Sequence, residues 1–141
     1  MSFGRRALLA SAILALTIFV GLLSIHVWAR THPDLAYHEI TGRYLPPGVE
    51  VTAYNWTIND NLFHVGHYWL LSGSEKALRG FAFRAGLEQS TDDARWATPD
   101  MAALFGESRK RTVVSGFEGE QPRNDWLWIF DGGTAALYEY N

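Results

Sequence analysis

The chain has 141 residues, of which 48% are hydrophobic and 14% aromatic, a composition typical of one folded domain. It contains no cysteine, which excludes disulfide frameworks, thiolate metal sites and cysteine nucleophiles. Residues 31–141 hold nine of the 12 basic residues and all 15 acidic residues, so this part carries a net charge of −6. Because phosphate backbones attract a positive surface, we expect no nucleic-acid binding.

Residues 7–29 form an uncharged apolar segment near the N-terminus. As a helix with a rise of ~1.5 Å per residue, the segment would be roughly 34 Å long, enough to cross a hydrocarbon core of about 30 Å. Its membrane flanks are Arg5, Arg6, Trp28 and Arg30. The segment therefore predicts a signal anchor, and two arginines before it against one after it favour an N-terminus inside the cytoplasm.

A cleaved signal peptide is the alternative for this segment, with Ala29 as the small residue before the cut. The apolar region of a signal peptide is usually about 7–15 residues long, so the longer run favours a retained anchor. We divide the chain into a cytoplasmic tail (1–6), a transmembrane helix (7–29), a juxtamembrane linker with a short helix ending near Gly42 (30–48), and an α+β domain (49–141).

The first two strands of the domain are predicted from β-branched and aromatic residues. Residues 49–57 have the composition of a strand, and Asn59-Asp60 is typical of a two-residue hairpin turn. This turn fixes a register with three cross-strand pairs. The predicted pairs are Trp56 with Phe63, Tyr54 with Val65, and Thr52 with His67.

His64 and His67 are the candidate ligand or catalytic pair, because they lie three residues apart among aromatic residues. Successive side chains of a strand point to opposite faces, so this spacing separates the two imidazoles. One metal ion could bind both only if the strand bulged at Gly66. We therefore predict that both histidines are structural and that no metal or cofactor is bound.

Two helices are predicted in the middle of the domain. Ser74 is a typical N-cap before residues 75–85, and Gly86 suits the position after that helix. The apolar residues of the segment recur on one helical face. A second, shorter helix is predicted between Thr98, as its N-cap, and Gly106.

The last third of the chain returns to strand patterns, at 112–117, 126–130 and 134–140. Asp131-Gly132-Gly133 predicts a hairpin between the last two strands. The predicted order is β-β-α-α-β-β-β, which gives an α+β fold with a mainly antiparallel sheet of about five strands and helices on one face.

No common catalytic motif occurs in the sequence, which lacks a P-loop, G-x-G-x-x-G, G-x-S-x-G and H-E-x-x-H. Trp126 and Trp128 share one face of their strand with Phe130, a pattern that predicts core packing or an aromatic face for a sugar, peptide or protein. We take His64, His67, Trp126 and Trp128 as candidate binding residues and assign no catalytic residue.

The sequence thus favours a single-pass protein of a bacterial inner membrane. Its small domain would lie outside the cytoplasm and would act by non-catalytic binding, with the lipid bilayer and another envelope protein as partners. Ten arginines against two lysines are typical of a GC-rich bacterial genome. The alternatives are a small envelope hydrolase or metal-dependent enzyme using His64 or His67, and a secreted domain released by cleavage near Ala29.

Overall fold

The computed structural model describes residues 3–58, 65–90, 100–106, 112–119 and 125–140. Four helices and six strands lie in these ranges. In chain order they are α1 (Phe3–Thr31), α2 (Pro33–Thr41), β1 (Val49–Ile58), β2 (Val65–Gly73), α3 (Glu75–Arg84), β3 (Leu87–Gln89), α4 (Met101–Phe105), β4 (Val113–Gly119), β5 (Trp126–Phe130) and β6 (Thr134–Tyr140).

α1 is the long apolar helix expected near the N-terminus. Its segment Gly4–Thr31 is, by length and composition, long and apolar enough to cross a membrane. The side chains of residues 4–25 are exposed, and the helix becomes part of the domain only in its last two turns. α2 follows after a break at His32, and Gly42, with φ 68°, ends it where the sequence predicts.

The six strands form one antiparallel sheet in the order β1-β2-β6-β5-β4-β3. The α+β class and the antiparallel sheet agree with the sequence-based prediction, whereas the strand number and order do not. The additional strand is β3, which has three residues, two of them exposed. A strand this short has no recognisable period, so the order in the domain is β-β-α-β-α-β-β-β.

The first face of the sheet carries the main core. Trp69 and Leu71 of β2 point to this face, as do Leu127 and Ile129 of β5. α2, α3 and the end of α1 cover it, and burial of each large apolar side chain here stabilises the fold by roughly 1.5–3 kcal/mol. The helices contribute Ala29, Ala36, Tyr37, Leu78, Phe81 and Ala82.

α4 lies on the opposite face, so the prediction that helices cover one face is wrong. Met101 of α4 packs there with Leu70, Trp128 and Phe130, which alternate along their strands with the residues of the first face. β2 and β5 are buried on both sides. A strand buried on both sides needs cover on both faces of the sheet. The continuous apolar run of β5 therefore indicates, in the sequence itself, that the second face is also covered.

The β1–β2 register differs from the predicted one in all three pairs. Trp56 pairs with His67, four residues beyond its predicted partner, and Ile58 pairs with Val65. The predicted two-residue turn at Asn59-Asp60 lies outside the described residues. A shift by an even number keeps every side chain on its face, so alternation alone does not distinguish the two registers.

The ends of α3 and α4 follow the rules of helix capping. Ser74 Oγ accepts a backbone N–H of the first turn of α3, and Gly86 after the helix has φ 75°, both as predicted. At α4, Asp100 Oδ1 accepts the backbone N–H of Ala103 at 3.1 Å. The predicted N-cap, Thr98, lies outside the described residues.

Candidate functional site

α1 is joined to the sheet where the helix ends. His26 is partly buried, and Ala29 is completely buried in the main core. We call the set of contacting polar and aromatic residues the anchor junction. It consists of His26 and Arg30 of α1, Tyr54, Asn55 and Trp56 of β1, and His67 of β2.

The imidazole of His26 is held by two aromatic residues of β1. Its ring stacks on the indole of Trp56, with centroids 4.2 Å apart and an interplanar angle of 19°. Its Nδ1 lies 3.0 Å from the hydroxyl oxygen of Tyr54. The same hydroxyl lies 2.9 Å from Nδ1 of His67, so one phenol links the two histidines.

Both hydrogen bonds of the series His26–Tyr54–His67 can form when both imidazoles are neutral. A tyrosine hydroxyl has one proton to donate and lone pairs with which to accept. Tyr54 can therefore donate to the Nδ1 of one histidine and accept from the Nδ1–H of the other. Protonation of both histidines would make both Nδ1 atoms donors, and the Tyr54 hydroxyl proton would then have neither imidazole as an acceptor.

Burial keeps His67 in the neutral form that this arrangement uses. The residue is 7% exposed, and its cross-strand neighbours are Trp56 and Glu139. Burial lowers the pKa of His67 from 6.5 to about 4, with a second contribution from the charge on His26. Burial also raises the pKa of Tyr54. At pH 7 His67 and Tyr54 are therefore both uncharged.

Arg30 and Asn55 form the polar side of the anchor junction. The Arg30 guanidinium donates to Asn55 Oδ1, and the backbone N–H of Trp56 donates to the same oxygen. The Asn55 amide donates to the backbone carbonyl of Leu104 in α4 at 2.6 Å. One side chain on edge strand β1 thus connects the end of α1 with α4.

A buried carboxylate lies beside the anchor junction. Glu139 of β6 is 6% exposed and pairs with His67 across the strands. Its Oε1 accepts from Arg43 Nη1 at 2.9 Å, and its Oε2 accepts from Trp69 Nε1 at 3.1 Å. The carboxylate is therefore both paired and hydrogen-bonded, as a buried charge requires. Burial and the nearby Glu139 raise the pKa of Tyr37.

The predicted binding residues do not form one site. His67 belongs to the anchor junction, while His64 lies outside the described residues, so its orientation relative to His67 stays a prediction. Trp126 and Trp128 are on the second face, with ring centroids 6.3 Å apart. Trp128 is buried there and Trp126 is partly exposed.

The predicted membrane flanks lie near the two ends of α1. Arg5 and Arg6 are exposed in its first turn. Trp28 is exposed near the other end and stacks on His32, with centroids 5.9 Å apart. Arg30, by contrast, is bound to the domain.

Most residues of the anchor junction, and Glu139, were not predicted from the sequence. Two signals were available. His26 is a polar residue near the end of an apolar span, and Glu139 is a charge between Tyr138 and Tyr140. Since buried polar groups have hydrogen-bond partners, each of these residues predicts a partner, although the sequence does not show which one.

Within the described ranges, no group of three or more histidine or carboxylate side chains is placed to hold a metal ion. No protein-family model matches the chain, and neither a curated protein nor a solved structure is significantly similar to it. The anchor junction and the surfaces around it are therefore the basis for a functional proposal.

Proposed function

We propose that the protein is a single-pass protein of a bacterial inner membrane whose small domain, outside the cytoplasm, binds and assists another envelope protein without catalysis. α1 would be a retained anchor. The observation that carries this proposal is the burial of Ala29, which is the last residue of the predicted span and has no exposed surface.

The contacts of the anchor junction favour retention of α1 over cleavage. A signal peptide is removed from the mature protein, so a folded domain should not depend on it. A cut after Ala29 would take Ala29 out of the core and His26 off the indole of Trp56. It would also leave the Tyr54 hydroxyl with one histidine instead of two.

The charges at the ends of α1 support a cytoplasmic N-terminus. Arg5 and Arg6 precede the span. Arg30, the arginine that directly follows the span, donates to Asn55 of the domain. Basic residues flanking a span are enriched on the cytoplasmic side. The domain would then lie on the outer side of the membrane.

A helix that ends inside the domain core suits a binding role at the membrane. A tether raises the local concentration of the domain near membrane partners. A docked helix also restricts the orientation of the domain, which reduces the orientational freedom lost on binding a neighbouring protein. Ala29 and His26 dock the helix in this way. Ala29 packs in the main core, and His26 stacks on Trp56 of β1.

The environment of His67 supports a non-catalytic role. A general base has to reach the proton of a substrate directly or through one water. His67 is buried, its Nδ1 lies 2.9 Å from the Tyr54 hydroxyl, and its pKa of about 4 is lowered by burial. These contacts are those of a structural histidine and disfavour the alternative of an envelope hydrolase that uses His67.

The mass of the mature chain, purified from bacterial membranes, tests the anchor. We expect a chain that retains residues 7–29 and resists alkaline extraction, and a chain beginning at Arg30 would overturn the proposal. Val27→Ala is a useful reference, because it completes an Ala-x-Ala pattern before Arg30. If this variant is cleaved, its product gives the mass and the alkaline extraction that a secreted form would show in the same assay.

A further inference from the structure

A cavity of about 240 Å³ lies on the helix-covered side of the domain, between the loop after α2 and the end of α3. Two of its lining residues are arginines, and none is acidic. Residues 31–141 carry a net charge of −6, so a cavity whose described lining is only positive and neutral differs from the rest of this part of the chain. The lining consists of Arg43, Tyr44, Pro46, Phe81, Arg84 and Ala85.

Arg43 is held in a fixed position at this cavity. Its Nη1 donates to the buried carboxylate of Glu139 at 2.9 Å, and its side chain is 31% exposed. A guanidinium has five N–H donors in a planar fork, so one bond to Glu139 leaves donors for a further acceptor. Glu139 in turn accepts from Trp69, which fixes the carboxylate that orients Arg43.

Arg84 supplies the second positive charge at the cavity. Among the residues that the structure describes, its guanidinium has no hydrogen-bond acceptor and no carboxylate partner. Its Nη2 lies 3.7 Å from the position that a Cβ on Gly80 would occupy, so the side chain folds back along α3. Arg43 and Arg84 therefore reach the cavity from two different elements.

Tyr44 forms an aromatic wall of the cavity. It is 79% exposed, yet its ring stacks on the imidazole of His38 with centroids 3.9 Å apart. The Nδ1 of His38 lies 3.3 Å from the backbone carbonyl oxygen of Arg43. An exposed tyrosine held by stacking presents its ring and hydroxyl with little loss of freedom on binding.

We propose that this cavity binds a phosphate ester. Guanidinium groups pair with phosphate oxygens through charge-assisted hydrogen bonds, and two guanidinia from separate elements with one phenol suit a group that offers three or more oxygens. A carboxylate, with two oxygens, is satisfied by one guanidinium fork. Pro46, Phe81 and Ala85 provide an apolar wall for the carbon part of the ester.

The same chemistry is present in a lipid headgroup and in a soluble phosphate ester. The inference goes beyond the proposed function, in which the domain binds an envelope protein, and adds a small phosphate ester as a ligand. It is independent of the anchor test, because a cleaved chain would be recognised by its mass and an empty cavity by the absence of saturable binding.

The test uses the full chain in phosphatidylcholine nanodiscs, titrated with glycerol 3-phosphate by calorimetry. We expect saturable binding that Arg84→Gln weakens about tenfold, the effect of losing one charge-assisted contact. Lys76→Gln is the matched control, since it removes the same charge from an exposed position on the same helix. Saturable binding with an unchanged Lys76→Gln affinity supports the site.

Three results would overturn the proposal: no saturation, an Arg84→Gln affinity equal to that of the wild type, or equal weakening by both variants. Phosphatidylglycerol in the nanodisc distinguishes the two sources of ligand. If the headgroup occupies the cavity, this lipid lowers the apparent affinity for glycerol 3-phosphate through Arg84. If the ligand is soluble, the anionic lipid weakens binding by the wild type and by Arg84→Gln by the same factor, through its surface potential.

Discussion

The imidazole of His26 lies face to face with the indole of Trp56, 4.2 Å away, although one belongs to α1 and the other to the sheet. A membrane helix joined to its domain by a flexible linker can change its angle freely. Here the helix also places Ala29 in the core. Movements of the helix and of the domain should therefore be coupled, and each residue of the anchor junction can be tested for its part in the coupling.

Replacing His26 by leucine should loosen the coupling while the span stays apolar. The variant loses the stack on Trp56 and the hydrogen bond to Tyr54, together worth about 1–2 kcal/mol. We expect faster amide hydrogen exchange in the turn around Arg30, measured by mass spectrometry in detergent micelles. Ser24→Ala is the control, because that exposed hydroxyl donates to the carbonyl of Val20 within its own helix. Equal exchange in His26→Leu and the wild type would contradict the coupling.

Tyr54→Phe should destabilise the domain by about 1–3 kcal/mol, because it leaves the buried Nδ1 of His67 without its partner. The urea midpoint at pH 7 measures this change. Tyr44→Phe removes the same hydroxyl from an exposed ring and should shift the midpoint by less than about 0.5 kcal/mol. If the two variants are equally stable, the hydroxyl of Tyr54 does not hold the network together.

His67 should make the stability depend on pH in the acidic range. Burial lowers its pKa from 6.5 to about 4, so between these values the unfolded chain binds a proton that the folded chain does not. Stability then rises with pH in this window, by about 3 kcal/mol in total, and no longer changes through this group above it. His67→Asn keeps an amide near the Tyr54 hydroxyl and should remove this part of the slope. Urea unfolding of both proteins across the window measures the difference, and parallel curves would show that His67 does not cause it.

The helices and most strands were predictable because their signals are local. Ser74 begins α3 and Gly42 ends α2 through contacts within one turn. The anchor junction was not predictable, because its partners are distant in sequence: 28 residues separate His26 from Tyr54, and 25 separate Arg30 from Asn55. The packing of α1 on β1 brings these residues together, and the register of β1 on β2, which alternation leaves undetermined, places His67 beside them.

Gly133, just before β6, lies close to Gly73 at the end of β2, and comparison with its neighbour Gly132 tests this backbone packing. Gly133 has φ 76°, and a Cβ on it would lie 2.7 Å from the carbonyl oxygen of Gly73. Gly132 has φ 80° but no atom within 4 Å of the same position. Both alanine variants have about 1–2 kcal/mol of backbone strain, and only Gly133→Ala adds a clash, typically another 1–3 kcal/mol. Thermal unfolding should therefore rank Gly133→Ala as the less stable, and equal melting temperatures would contradict the close approach.

Glu139→Gln should be far more harmful than Glu75→Gln, although both remove a carboxylate from an ion pair with arginine. Glu139 is buried and pairs with Arg43, whereas Glu75 is mostly exposed and pairs with Arg79 one helical turn away. Breaking a buried pair costs about 3–5 kcal/mol, while an exposed pair contributes about 1 kcal/mol or less. Urea unfolding at pH 7 measures both, and similar losses would show that Glu139 is solvated.

The double variant Arg43→Met with Glu139→Leu separates the stability of the pair from its role in orientation. Apolar residues that replace both members of a buried ion pair often restore stability, so we expect this variant to be more stable than Glu139→Gln. It should remain about 1–3 kcal/mol below the wild type, because Trp69 Nε1 loses its acceptor. It should nevertheless bind glycerol 3-phosphate more weakly than the wild type, since the oriented guanidinium is gone. Recovery of stability without recovery of binding would mean that the pair is kept for what Arg43 presents at the cavity. Unchanged binding would instead assign the affinity to Arg84 alone.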